Sequence, residues 1–169
     1  MDSLNNFDAE LFLQRDWQQK PLLIRGALRN TEQLISPEEL AGLSLEEEME
    51  SRLVLFQQGQ WSLRHGPFNE KDFQQLPASN WTLLVQAVDH ASPSIAELMD
   101  YFRFIPNWRL DDIMVSYATE GGSVGPHFDN YDVFLVQTSG QREWQIGDIC
   151  DQQSPLLDHP DLSLLKNFN

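Results

Sequence analysis

The sequence predicts an α+β domain, a helical N-terminal layer packed on the start of an antiparallel β-barrel or sandwich. Three observations carry this reading. Helix signals cluster before residue 50 and again from Ser94, short strand-like runs dominate the second half, and no repeat, low-complexity tract or linker divides the chain. Its 169 residues are 41% hydrophobic, with five Trp and ten Phe, which is enough for one core over residues 1–169 and hardly for two.

Residues 5–17 read as a short amphipathic helix with Phe7, Leu11 and Trp17 on one face, ended by Pro21. Leu22-Leu23-Ile24 resembles a short buried strand closed by Gly26. Ser36-Pro37-Glu38-Glu39 is a capping box with proline at the first helical position, opening a helix through Leu40 to Leu43. The run Glu46-Glu47-Glu48 reads as a solvated face. Residues 52–56 and 60–64 are strand-like runs joined around Gln58-Gly59.

Residues 81–90 are rich in strand formers, and Ser94 opens a helix carrying Ile95, Leu98, Met99 and Phe102 at helical spacing, a core stripe rather than a cofactor surface. After Pro106, residues 112–117 alternate like a strand and a glycine-rich turn follows. Residues 132–137 and 143–146 then read as a hairpin joined near Ser139-Gly140, so the second half is expected to be mostly β.

The balance of 26 acidic against 11 basic residues, net charge -15, repels phosphate backbones and anionic membrane surfaces, which argues against direct nucleic-acid or membrane binding. A basic protein partner suits that charge, and so does the plainer role of keeping the chain soluble. A single cysteine, Cys150, excludes an intrachain disulfide and a cysteine-rich zinc site. With a polar N-terminus and no apolar run of membrane-spanning length, the expected location is the cytoplasm.

The chemistry centres on Gly121-Gly122-Ser123-Val124-Gly125-Pro126-His127-Phe128-Asp129. In an extended segment His127 and Asp129 point the same way and can reach one metal ion, while Phe128 turns to the opposite, apolar side. An imidazole with a carboxylate begins a two-histidine, one-carboxylate facial triad, and the same pair also serves as a hydrogen-bonded surface contact. No helix start or Lys follows the glycines as a phosphate loop requires, so they form a turn.

Several blocks resemble, in order, the N-terminal part of the bacterial ribosomal oxygenases, JmjC-related cupin-fold enzymes that hydroxylate an arginine of a large-subunit ribosomal protein. They are Ile35-Ser36-Pro37-Glu38-Glu39-Leu40-Ala41-Gly42-Leu43, His65-Gly66-Pro67-Phe68, Asn80-Trp81-Thr82-Leu83-Leu84-Val85-Gln86-Ala87-Val88, Trp108-Arg109-Leu110-Asp111-Asp112, and the run from Val124 through Asp129 to Phe134. The resemblance implies the first part of a cupin double-stranded β-helix, that is, an incomplete antiparallel barrel. It implies His127 and Asp129 as catalytic iron ligands, Fe(II) as metal and 2-oxoglutarate as cosubstrate. Arg142, in Gly140-Gln141-Arg142-Glu143-Trp144, matches the residue that receives the distal carboxylate of 2-oxoglutarate; without the resemblance it reads as an ordinary cross-strand ion-pair partner. Ser116, Tyr131 and Asp132 flank the expected mouth, as substrate contacts or as packing.

The family's third iron ligand is a histidine on a later strand. The sequence reaches Asn169 without it, and without the family's dimerising helices and winged-helix domain. His159 is the remaining later histidine, in Asp158-His159-Pro160-Asp161-Leu162, which resembles a connecting loop. Two expectations follow. One is the truncated piece of an iron- and 2-oxoglutarate-dependent hydroxylase acting on a basic ribosomal protein, inactive by itself and binding iron weakly; the other is a catalytically silent cupin-like module that binds a basic partner. In either case unpaired strand edges imply self-association, a homo-oligomer included.

Overall fold

The computed structural model describes residues 3–31 and 34–168. Strands β1 (Ser51–Gln57) and β2 (Gln60–His65) form a hairpin, as their sequence predicts. Gln58 and Gly59 take φ of 51° and 79°, the left-handed pair that matches the twist of the flanking strands and sets Gln57 opposite Gln60. Strand β3 (Trp81–Val85) pairs antiparallel with the other side of β1, and β4 (Val115–Ala118) with β3. The order is β2-β1-β3-β4, an open sheet with β2 and β4 at its edges.

Side chains alternate along each strand, so the register sorts them into two faces. Leu53, Leu55, Leu83 and Val85 face a core built with Leu40, Phe68, Val88, Ile95 and Leu98. Val54, Thr82, Leu84 and Ser116 share the opposite face with Trp61 and Leu63 of β2. Val54, Thr82 and Leu84 are buried there too, so this second face is also covered.

Helix α1 (Ala9–Arg15) is shorter than the 5–17 expected. Asp8 caps its start by accepting the Leu11 N–H at 2.9 Å. It stops well before Pro21, because the Asp16 and Trp17 N–H groups both close on the Phe12 carbonyl and Gln18 then takes a left-handed φ of 57°. Phe12 is the buried residue of this helix, whereas Leu11 is exposed, which corrects the expected Phe7, Leu11 and Trp17 face. Leu22-Leu23-Ile24 is neither a strand nor buried: Leu23 is 73% exposed, and no described backbone pairs with it. Helix α2 (Pro37–Leu43) carries the expected capping box in full, and Leu40 seats it on the sheet. Glu46, Glu47 and Glu48 are exposed, as read from the sequence.

Helix α3 (Glu70–Gln74) has a second capping box, from Asn69 and Asp72. The strand expected over residues 81–90 ends at Val85, because Ala87 takes a left-handed φ of 52° and Val88–His90 form a 3-10 turn. The stripe from Ser94 begins as α4 (Pro93–Ala96) and tightens into a 3-10 helix over Glu97–Phe102 that still buries Ile95 and Leu98. No described helix is long and apolar enough to cross a membrane.

The largest departure concerns residues 132–137 and 143–146, where the expected hairpin does not form and no described residue between 119 and 154 is in a strand. Alternating apolar residues favour an extended chain, but a strand also needs a neighbour for its N–H and C=O groups, and the described residues offer none. Leu135 and Ile146 are left exposed as a result. Among the described residues the second half holds β4 and one isolated bridge, Leu156 to Leu165, rather than a mostly β architecture.

Candidate metal centre

A turn at residues 119–122 carries the chain off β4, closed by the Gly122 N–H on the Thr119 carbonyl at 2.8 Å. Gly125 follows with φ of 79° against Leu164 and Trp61; a Cβ there would come within 2.6 Å of Leu164 Cδ2. Glycine is therefore required both by backbone conformation and by space. The next residue is pinned by the Leu165 N–H, which donates to the Pro126 carbonyl at 2.7 Å. The buried pair Leu164 and Leu165 thus fixes the turn that presents His127.

The His127 Nδ1–H donates to the Gly125 carbonyl at 2.9 Å. A carbonyl only accepts, so the bond places a proton on Nδ1 and, in the neutral ring, leaves the Nε2 lone pair free. That atom lies 3.9 Å from Asp129 Oδ2. Two bonds of about 2.1 Å to one ion span up to about 4.2 Å, so both atoms are within reach of a shared metal, and bending toward a right angle requires them to close by about 1 Å. Both side chains are partly open to solvent, and Phe128 between them is half-buried. A backbone carbonyl holding the far ring nitrogen is the usual support of a metal-binding histidine.

Arg142 does not pair across strands with an acidic side chain. Its Nη1 donates to the Ser116 hydroxyl of β4 at 3.4 Å, and its guanidinium lies 5.7 Å from the centre of the Trp144 ring. Among the described residues no carboxylate forms an ion pair with it, and burial lowers its pKa from the ordinary arginine value. A half-buried cation without a described counter-charge can accept an anion, and the planar fork suits a carboxylate. Ser116 and Arg142 come together across 26 residues of sequence, which no spacing argument reveals.

Tyr131 is 73% exposed, and the Asp132 carboxylate accepts from Gln18 Nε2 at 2.8 Å and lies 3.7 Å from Arg109 Nη2. Neither residue is on a strand, in contrast to the flanking strand positions expected. His159 has both ring nitrogens engaged: Nε2–H donates to the Trp61 carbonyl at 3.1 Å, while Nδ1 accepts the N–H groups of Asp161 and Leu162. It ties its loop to β2 and has no lone pair left for a metal. His65 and His90 are exposed in other parts of the fold. Among the described residues no group of three or more His, Cys, Asp or Glu side chains is placed to hold a metal ion.

No motif or spacing in the sequence marks Gln18, Arg109, Leu164 or Leu165 as supports of this site. A local signal is the apolar pair Leu164-Leu165, which follows a similar pair, Leu156-Leu157, in the same tail.

A family model described as the JmjC domain matches residues 97–169. The ribosomal protein uL16 3-hydroxylase of Escherichia coli is 48% identical over 157 residues, covering 93% of this chain and 41% of that protein. This chain is homologous to the bacterial ribosomal oxygenases. A probable ribosomal oxygenase of Haemophilus influenzae is also 48% identical, over 84% of this chain and 35% of that protein. An X-ray structure of E. coli YcfD superposes with a TM-score of 0.91 at 44% identity, over 100% of this chain and 45% of that one. A second YcfD structure, in complex with cobalt and 2-oxoglutarate, gives 0.71 at 46% identity over 75% of this chain and 34% of that one. The chain thus spans less than half the length of these relatives. The open sheet and its N-terminal helices are a partial barrel of the JmjC and cupin type.

Proposed function

We propose that this chain carries the first two iron ligands, His127 and Asp129, and the 2-oxoglutarate anchor, Arg142, of a hydroxylase that acts on an arginine of a large-subunit ribosomal protein. The observation that carries the reading is the pairing of a free His127 Nε2 with Asp129 Oδ2 at 3.9 Å, together with a guanidinium at Arg142 lacking a described counter-charge. Homology to an enzyme named uL16 3-hydroxylase and to YcfD, bound to cobalt and 2-oxoglutarate, supports the same assignment.

Bound iron would supply oxygen activation, coupled to loss of CO2 from 2-oxoglutarate, with one oxygen atom entering the succinate formed and the other the substrate carbon. The chain's own residues bind and orient. Gly125 holds the His127 tautomer, Arg142 would take the distal carboxylate, and the Ser116 hydroxyl, 3.4 Å from Arg142 Nη1, would help to orient that fork.

A second reading, a catalytically silent module for a basic protein, is favoured by the net charge of -15. Calorimetric titration with cobalt separates the two. Weak uptake is expected, abolished by His127→Ala with the melting temperature unchanged, because an exposed pair contributes little to folding. Cobalt affinity that is the same in His127→Ala and wild type would refute the metal reading.

A further inference from the structure

Asp129 is delivered by a stretch with no backbone ladder, so its position depends on where that stretch is tied down. Upstream the tie is the Leu165 to Pro126 hydrogen bond. Downstream, three residues beyond Asp129, the ties come from the N-terminal layer. Gln18 Nε2 donates to Asp132 Oδ2 at 2.8 Å, and Arg109 Nη2 lies 3.7 Å from the same oxygen. Arg109 also sits over Trp17, 5.5 Å from the ring centre, and Trp17 stacks on Phe134 at 5.7 Å and 16°. Phe134 in turn packs against Phe12, Phe102 and Phe104.

We propose that Gln18 and Arg109 are positioning residues for Asp129, acting through the Asp132 carboxylate. This rests on the reading of His127 and Asp129 as metal ligands. Three residues span at most about 10 Å, so fixing Asp132 limits the arc that Asp129 sweeps. Gln18 reaches Asp132 from a left-handed backbone, φ 57°, a conformation that a residue other than glycine keeps only where its surroundings hold it. The Trp17 ring, clasped between Arg109 and Phe134, supplies that hold. The Asp132 oxygen that takes both contacts is already occupied by the protein's own donors, so its role is to place the ligand segment.

The test combines nitrogen-15 relaxation with cobalt titration on the chain carrying Gln18→Ala, Asp132→Ala, or both. In the variants the order parameters of residues 128–131 should fall from about 0.85 toward 0.6 while β1 and β3 stay unchanged. Cobalt affinity should drop about tenfold, the size of effect seen when a ligand's supporting contact is removed. The double variant should bind no more weakly than Asp132→Ala, since Gln18 acts through that carboxylate. Asp132→Asn, which keeps an acceptor for Gln18, should retain more affinity than Asp132→Ala. Unchanged cobalt affinity in Gln18→Ala, or losses that simply add, would overturn the positioning role alone. A wild-type chain that takes up no cobalt would overturn the ligand assignment, and the positioning role with it.

Discussion

The sheet, from β1 to β4, and the segment after it, residues 119–154, are held together by different means. In the sheet, backbone ladders run strand to strand and the register locks Leu53 against Leu83. In the later segment, side chains reach from other elements to individual points, Gln18 to Asp132, Thr31 to the Thr138 carbonyl, Ser116 to Arg142. Every candidate site residue except Ser116 lies in the second kind of structure. A ladder gives rigidity that is shared among many bonds, so single contacts matter little; a segment held at points can be retuned by one contact, which suits a site that must admit substrates.

That contrast breaks most clearly under truncation of apolar side chains. Leu53→Ala, at 0% exposure in the centre of the sheet, should cost about 2–5 kcal/mol in denaturant unfolding, whereas Leu135→Ala, exposed after the turn, should stay within about 0.5 kcal/mol. Similar losses at both positions would mean that the later segment shares the core.

A smaller effect is expected at the helix that braces the sheet. Ser36→Ala removes the acceptor of the Glu39 N–H, bonded at 3.1 Å, and should lower stability by about 1 kcal/mol with cobalt uptake unaffected.

The smallest concerns pH. The Ser36 N–H holds the Glu39 carboxyl below its ordinary range, and the Asn69 N–H does the same for Asp72. A carboxylate whose pKa is depressed by folding contributes stability above its unfolded value, and loses it as pH falls through the folded value. Stability should therefore decline through the acidic carboxylate range, and Glu39→Gln should flatten part of that decline in melts followed from neutral to acidic pH.

What could be read from the sequence was local. The Ser36 capping box and the Gln58-Gly59 hairpin depend on near neighbours in the chain, and both stand in the structure as read. The alternation at residues 132–137 was an equally clear local pattern and gave the wrong element, because strand formation is decided by a partner elsewhere. The same limit hid the contact of Gln18 with Asp132, 114 residues apart, and that of His159 with the Trp61 carbonyl, 98 apart. A left-handed Ala87, which ends β3 early, carries no compositional signal of the kind glycine gives.

The guanidinium of Arg142 rests beside an indole, that of Trp144, which is half exposed. Indole emission responds to the charge nearby, so this chain has an optical gauge built in beside that guanidinium. Neutralising the cation there alters the field across the ring, and light, rather than heat or turnover, can report whether an anion reaches Arg142.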